Sequence, residues 1–187
     1  MASNMIVVGV GDRDLSDRLE APWGYARLVN YADCADAAAL VQLLDAYAQD
    51  PAGGGEPLSD FAKDNLAVSL SQRAAFSIIA VADGRPVGLV NCLEGFSTFA
   101  CQTLVNVHDV AVVADFRGHG VGRVMLELAE REALRRGACK LTLEVLSNNL
   151  PARTLYERMG FADYQLSPDM GSACFMQKWL KPPVNHL

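Results

Sequence analysis

The stretch richest in residues able to do chemistry runs from Asp109 to Arg123. An apolar β-type run ends in a turn with glycines at alternate positions, Gly118, Gly120 and Gly122, and a helical pattern follows directly. Helix N-termini expose unpaired N–H groups and carry about half a positive charge, so a corner of this kind suits a phosphate. The glycines remove Cβ atoms that would keep a phosphate from the amides. Arg117 and Arg123 flank the turn with charge, and His119 borders it. The pattern is not a P-loop, because the Gly-Lys-Ser/Thr ending is missing. Nor is it a dinucleotide fingerprint, because Arg123 stands where the third glycine belongs. A purely structural corner is the alternative reading.

A second stretch follows the β-type run Leu141 to Val145. Asn149 can hydrogen-bond an amide-bearing ligand, or simply cap the helix that has Pro151 in its first turn. Tyr156 lies about two helical turns further on, as a proton donor or as part of an apolar face. Upstream, His108 and Asp109 are adjacent titratable groups, with Glu94 behind them. Histidine has a convenient pKa for a general base, and a satisfied structural histidine is the alternative. Strict alternation along a strand sends His108 and Asp109 to opposite faces. Met5 to Asp14, with Gly9 and Gly11, is a decoy, since a dinucleotide site needs a third glycine at Asp14 and a strong helix next.

These groups need a scaffold. Residues 1–22 lack periodicity and are treated as an arm, 23–181 as a single domain and 182–187 as a tail. Tyr25 to Tyr31 alternates as a strand. Asp33 can cap a helix to about Gln49, and Ser59 or Asp60 a second one to about Ser71. Phe76 to Ala82 and Val87 to Leu93 around Asp83-Gly84 form a hairpin. Gly95 to Gln102 is a loop, and Thr103 to Val113 a long central strand. Gly120 to about Arg136 is the clearest helix, with Val121, Val124, Met125, Leu128 and Ala129 as its stripe. Lys140 to Leu146 is a strand and Pro151 to Met159 a short helix. Phe161 to Leu166 and Ala173 to Leu180 are expected to close the sheet as an antiparallel pair.

The corner Arg117-x-x-Gly120-x-Gly122 opens a helix after a strand. Asn149-x-x-Ala152-x-x-x-Tyr156-x-x-x-Gly160-Phe161 follows the next strand. Together they resemble the GNAT superfamily of acyl-CoA-dependent N-acetyltransferases, with matching element order from about Tyr25 to Leu180. The resemblance implies a mixed α/β fold: a central, mostly antiparallel sheet flanked by helices, with a parallel, splayed strand pair at the CoA site. It implies acetyl-CoA as cosubstrate and no metal. Acetyl-CoA would lie between the strand carrying Val110, Ala111 and Val112 and the strand carrying Leu143 to Val145. Backbone groups of Val110 and Val112 would pair with the pantetheine amides as an added strand does. Arg117 and the amides of Gly118, His119, Gly120, Val121, Gly122 and Arg123 would hold the pyrophosphate, with Asn149 also facing the cofactor. A backbone N–H near Val110 would polarise the thioester carbonyl. The amine would attack directly, with Tyr156 protonating the departing thiolate and His108 or Asp109 taking up the amine proton. A homodimer is the family's habit.

Phe96-Ser97-Thr98-Phe99 and the strand after it are also similar to the diamine (spermidine-type) branch of that superfamily, with His108 where the branch carries Glu. Asp33 to Asp64 holds seven acids against Lys63 alone, and helices so charged would wall an acceptor site for a small cationic amine or amino-acid derivative. A peptide N-terminus or lysine, or a non-catalytic acyl-CoA sensor, are the alternatives.

Composition narrows the classes. At 187 residues the chain is one ordinary domain, 51% hydrophobic and 20% charged. A net charge of −6 argues against a nucleic-acid partner, which needs a basic face. No apolar run approaches the roughly 18 residues of a membrane span, and Met5 to Val8 lacks the basic lead-in of a secretory signal. A soluble cytoplasmic protein is expected, with no membrane partner. The five cysteines form no C-x-x-C pair and the histidines number three, so no zinc pattern is present.

Overall fold

The computed structural model describes residues 17–164, 169 and 173–180. β1 (Arg18–Ala21) and β2 (Gly24–Leu28) form a tight hairpin. α1 (Cys34–Ala48) begins at Asp33, whose carboxylate accepts from the Ala35 and Asp36 amides. α2 (Asp60–Ser71) begins at Ser59, whose hydroxyl accepts from Ala62 N–H. Both caps satisfy N–H groups that the helix itself leaves unpaired. β3 (Ala75–Ala82) turns through Asp83 and Gly84 into β4 (Arg85–Ser97). These two turn residues take φ of 49° and 73°, as a hairpin turn matching strand twist requires. β5 (Gln102–Val112), one 3₁₀ turn at Ala114–Phe116, α3 (Val121–Arg135), β6 (Leu141–Leu143) and α4 (Leu150–Arg158) complete the described elements.

The strands lie in the order β1-β2-β3-β4-β5-β6. Every neighbouring pair is antiparallel except β5 and β6, which run parallel because α3 crosses over between them. Two apolar layers sandwich the sheet. On one face α3, through Val121, Met125, Leu128 and Ala129, covers Phe76, Ile78, Val90, Val105 and Val107. On the other, Leu40 and Leu43 of α1 and Leu70 of α2 cover Ile79, Val81, Leu89 and Ala111. The mixed, mostly antiparallel α/β fold expected from the sequence is the fold found. Among the described residues no helix is long and apolar enough to cross a membrane.

Several elements depart from expectation. Arg18–Ala21, within the span read as an arm, pairs with β2. β4 continues through Gly95 to Ser97, because Leu93–Ser97 finds partners in Gln102–Asn106, and the expected loop shrinks accordingly. The closing antiparallel pair is absent where it can be seen: Phe161–Tyr164 and Ala173–Leu180 carry no strand, while Gln165 and Leu166 lie outside the described residues. Ala173 N–H to Tyr164 O is the backbone bond recorded between these segments. Phe175, Met176, Trp179 and Leu180 are exposed, so no apolar burial holds an alternating register there.

Candidate active site

The parallel pair makes the site. β5 and β6 are in register only from Val105↔Leu141 to Val107↔Leu143. Asn106 Nδ2 clasps Thr142 Oγ1 at 3.2 Å and the Glu144 carboxylate at 3.2–3.3 Å. Beyond that clasp β5 continues to Val112 while β6 stops, and the two backbones part. A cleft of about 1430 Å³ opens between them, lined by Val110 and Val112 on one side and Glu144, Val145 and Leu146 on the other.

A β-bulge marks the point of parting. Asn91 pairs with Asp109 and Cys92 with Val107, leaving His108 as the extra residue on β5. Before the bulge, Val105 and Val107 face α3; after it Ala111 faces α1, so the side-chain parity of β5 has inverted. Simple alternation therefore fails here. His108 is exposed and lines the cleft with Val107 and Val110. Asp109 does not line it: its Oδ2 accepts from Asn91 Nδ2 at 2.9 Å on the α1 face. Glu94 is remote, held by Arg136 at 2.6 Å.

At the head of the cleft, α3 begins with Gly120 at φ 82° and no side-chain cap, so its first N–H groups face the opening. Gly118 also takes a positive φ, 79°. A Cβ at either position would meet nothing within 4 Å, so these glycines are required by backbone conformation and not by close approach of another part of the chain. Gly122 differs, since a Cβ there would lie 3.1 Å from Leu155 Cδ2 of α4; its smallness lets α3 and α4 pack. Val121, Gly122 and Arg123 line the cleft, and His119 does not. Arg123 pairs with Glu127 at 2.7 Å. Arg117 donates Nε to Val112 O at 2.9 Å and pairs with Asp50 Oδ2 at 2.8 Å. Hydrogen bonds from Ala52 N–H and then from Arg117 hold the Asp50 carboxyl below the usual carboxylate range.

At the foot stands α4. Asn149 is its N-cap, with Oδ1 accepting from Ala152 N–H at 3.3 Å, and it also lines the cleft. Tyr156 is 8% exposed and stacks edge-on against Phe161 with centroids 5.9 Å apart. Burial pushes its phenol up to about 12, with Tyr47 of α1 adding to the effect. The phenol is thus fully protonated at neutral pH. Tyr47 lines the same cleft; burial, then Asp109, then Asp50 raise its own phenol.

The structure therefore gathers His108, Val110, Ala111, Val112, Arg117, Gly118, Gly120, Val121, Gly122, Arg123, Asn149 and Tyr156 around one cleft, and leaves Asp109 and His119 off its lining. The acid-rich segment behaves differently from expectation. Asp33 caps α1, Asp36 is buried against Arg27, Asp45 pairs with Lys63, and Asp50 pairs with Arg117. Most of that charge is spent on local structure, and of the segment's acids Asp50 alone lines the cleft. None of Phe96 to Phe99 lines it either. Sequence reasoning missed Tyr47 and Asp50 as cleft residues, because one reads as part of a helix stripe and the other as a loop acid. Among the described residues no cluster of three or more His, Cys, Asp or Glu could hold a metal.

The three-layer α/β/α domain, with a splayed parallel pair opening onto an uncapped helix start, has the arrangement that the sequence resemblance implies. The chain belongs to the acetyltransferase (GNAT) family, whose model matches residues 37–161. It is 40% identical over 79 residues to streptothricin acetyltransferase of Streptomyces lavendulae, a match covering 41% of this chain and 42% of that enzyme. It is 27% identical over 135 residues to the uncharacterized N-acetyltransferase YhfO of Bacillus subtilis, covering 72% of this chain and 89% of that one. A crystal structure described as a probable acetyltransferase superposes with a TM-score of 0.71 at 18% identity, covering 83% of this chain and 98% of the other.

Proposed function

We propose that this protein transfers an acetyl group from acetyl-CoA to a primary amine by direct attack in a ternary complex. The observation that carries the reading is the buried Tyr156 side chain, which lines the same cleft as Val110–Val112 of β5 and the left-handed glycines Gly118 and Gly120. Beyond the β5–β6 split the Val110 backbone, which no longer faces a β6 partner, suits the pantetheine amides, while Val112 O is taken by Arg117 Nε. The corner amides and Arg117 suit the diphosphate.

The chemistry balances without a covalent enzyme intermediate. The amine nitrogen bonds to the thioester carbon, a backbone N–H near Val110 steadies the developing oxyanion, and the C–S bond breaks as Tyr156 gives its proton to the sulfur. No described cysteine lines the cleft. Cys92 lies in the core with its thiol pushed up to about 12 by burial, which excludes it as a nucleophile at neutral pH. The amine must shed a proton first; for an ammonium with a pKa near 10 this costs about 4 kcal/mol at pH 7. His108, exposed in the cleft at the bulge, is placed to take it.

The acceptor class is a small cationic primary amine or amino-acid derivative. The support is the relative named for acetylating streptothricin, together with Glu130 and Glu144, which line the opening in addition to the acids Asp50 and Glu127 that pair with Arg117 and Arg123. Thiol release from acetyl-CoA with a panel of primary amines tests it. Amine-dependent CoA release is expected; calorimetry that detects no heat with acetyl-CoA or CoA refutes the reading.

A further inference from the structure

A row of polar side chains crosses three strands beneath α1, and the reaction above gives it no task. The Tyr31 hydroxyl lies 2.8 Å from Ser77 Oγ, Ser77 Oγ donates to Asn91 Oδ1 at 2.6 Å, and Asn91 Nδ2 donates to Asp109 Oδ2 at 2.9 Å. Ser77 is directly opposite Asn91, and Asn91 directly opposite Asp109. Ser77 and Asn91 are 1% and 3% exposed, in a layer otherwise built of Ile79, Leu89, Ala111 and Leu40. Polar groups buried among apolar ones are tolerated only when bonded, and apolar side chains would fill this layer at no such cost.

The row has one consistent polarity. Asp109, when ionised, accepts only, so the Asn91 amide turns its NH₂ toward it and its oxygen toward Ser77. Ser77 spends its only proton on that oxygen and must accept from Tyr31. Every donor then points toward Asp109. The bulge at His108 is what makes the contact: without its parity inversion Asp109 would share the α3 face with Val105 and Val107, away from Asn91. Asp109 is half-buried and has no ion-pair partner among the described residues. Ala111, two residues further along the same face of β5, and Tyr47 of α1, packed against the same cluster, both line the cleft, so Asp109 stands beside its α1 end.

We propose that Asn91, backed by Ser77 and Tyr31, is a positioning residue that holds the Asp109 carboxylate to receive the ammonium of the acceptor. An ionised carboxylate with one oxygen fixed by an amide presents the other in a set direction, which is what recognition of a cation needs. The proposal rests on the acetyl-transfer reading and names how its second substrate is held.

The test uses 1,4-diaminobutane as acceptor, followed by steady-state kinetics and by calorimetry with and without CoA. Asn91→Ala is expected to raise the diamine KM and Kd about tenfold, the loss of a hydrogen bond to a charged group, while the acetyl-CoA KM stays within about twofold. Adding Asn91→Ala to Asp109→Asn should change nothing further, because the row acts only through Asp109. Ser77→Ala and Tyr31→Phe remove a single hydroxyl each and should give the same selective effect at about two- to threefold; they keep the test intact should the Asn91 variant fail to fold. Multiplying effects in the double variant, equal changes in both KM values, or wild-type protein that binds CoA but gives no diamine heat would each overturn the proposal. Absent CoA heat instead refutes acetyl transfer, and the diamine titrations on CoA-free protein still decide the role of Asn91.

Discussion

Replacing Tyr156 by Phe removes one oxygen and leaves the ring where it is. The ring is buried and stacked on Phe161, and no hydrogen bond is recorded for the hydroxyl among the described residues, so folding stability should change by no more than about 0.5 kcal/mol. The catalytic cost is far larger. Burial raises the phenol from 10.0 to about 12, which makes the phenolate about 2.7 kcal/mol harder to form than in water. At pH 7 only about one molecule in 10⁵ is ionised, so the proton is always available. A phenol held this tightly is a poor acid toward a thiolate in water. Proton transfer from a side chain fixed in position beside the breaking bond is nonetheless worth roughly 10²–10⁴-fold. Tyr156→Phe should therefore lower kcat at least about 100-fold with CoA affinity by calorimetry and Tm almost unchanged. Equal losses in kcat and CoA affinity would reduce Tyr156 to a packing residue, and an unchanged kcat would refute the assignment outright.

Other perturbations separate the site's parts. Gly120→Ala places a Cβ in open space but on a backbone at φ 82°, so the cost is conformational, about 1 kcal/mol, or a Tm lower by about 2–4 °C; weaker CoA binding should accompany it in calorimetry. Asp50→Asn releases Arg117 from its ion pair and removes a negative charge beside the corner, so CoA should bind up to about threefold more tightly at low salt; looser binding would count against the placement of the diphosphate there. Glu132 is buried and accepts from Arg135 and Arg136. Burial alone would raise its carboxyl, but those two hydrogen bonds outweigh it and hold it below the ordinary range. The stabilisation is thus complete above about pH 4.5 and lost as pH falls through the lower folded value. Glu132→Gln should cost about 1–2 kcal/mol at pH 7 and flatten the acid limb of stability measured by urea melts; an unchanged acid limb would show that other carboxylates govern it.

The architecture was largely legible because its signals are local. Asp33 and Ser59 cap helices where cap residues precede apolar periodicity, the Asp83-Gly84 hairpin follows from turn chemistry, and the α3 stripe repeats at helical spacing. The glycine corner and the Tyr156 helix were readable for the same reason. The polar row left a trace too, since Ser77 and Asn91 interrupt otherwise apolar β runs. A lone polar residue in a strand, however, does not announce its partner. The expected pair at Phe161–Leu166 and Ala173–Leu180 shows the opposite failure: alternation predicts a strand, yet strands exist only in register with a neighbour.

Sequence alone settled the identity of most elements, the glycine corner that opens α3, and the family whose pattern they match. Tertiary structure decided which way the titratable groups point. A single bulged residue at His108 inverts the parity of β5, sending Asp109 toward Asn91 and His108 into the cleft, and it does so through register between strands. Distant pairing also drew Asp36, Asp45 and Asp50 into ion pairs, and burial lifted the Tyr156 phenol. Charge and burial are properties of neighbours brought together in space, and the linear order of residues carries them only once the chain has folded.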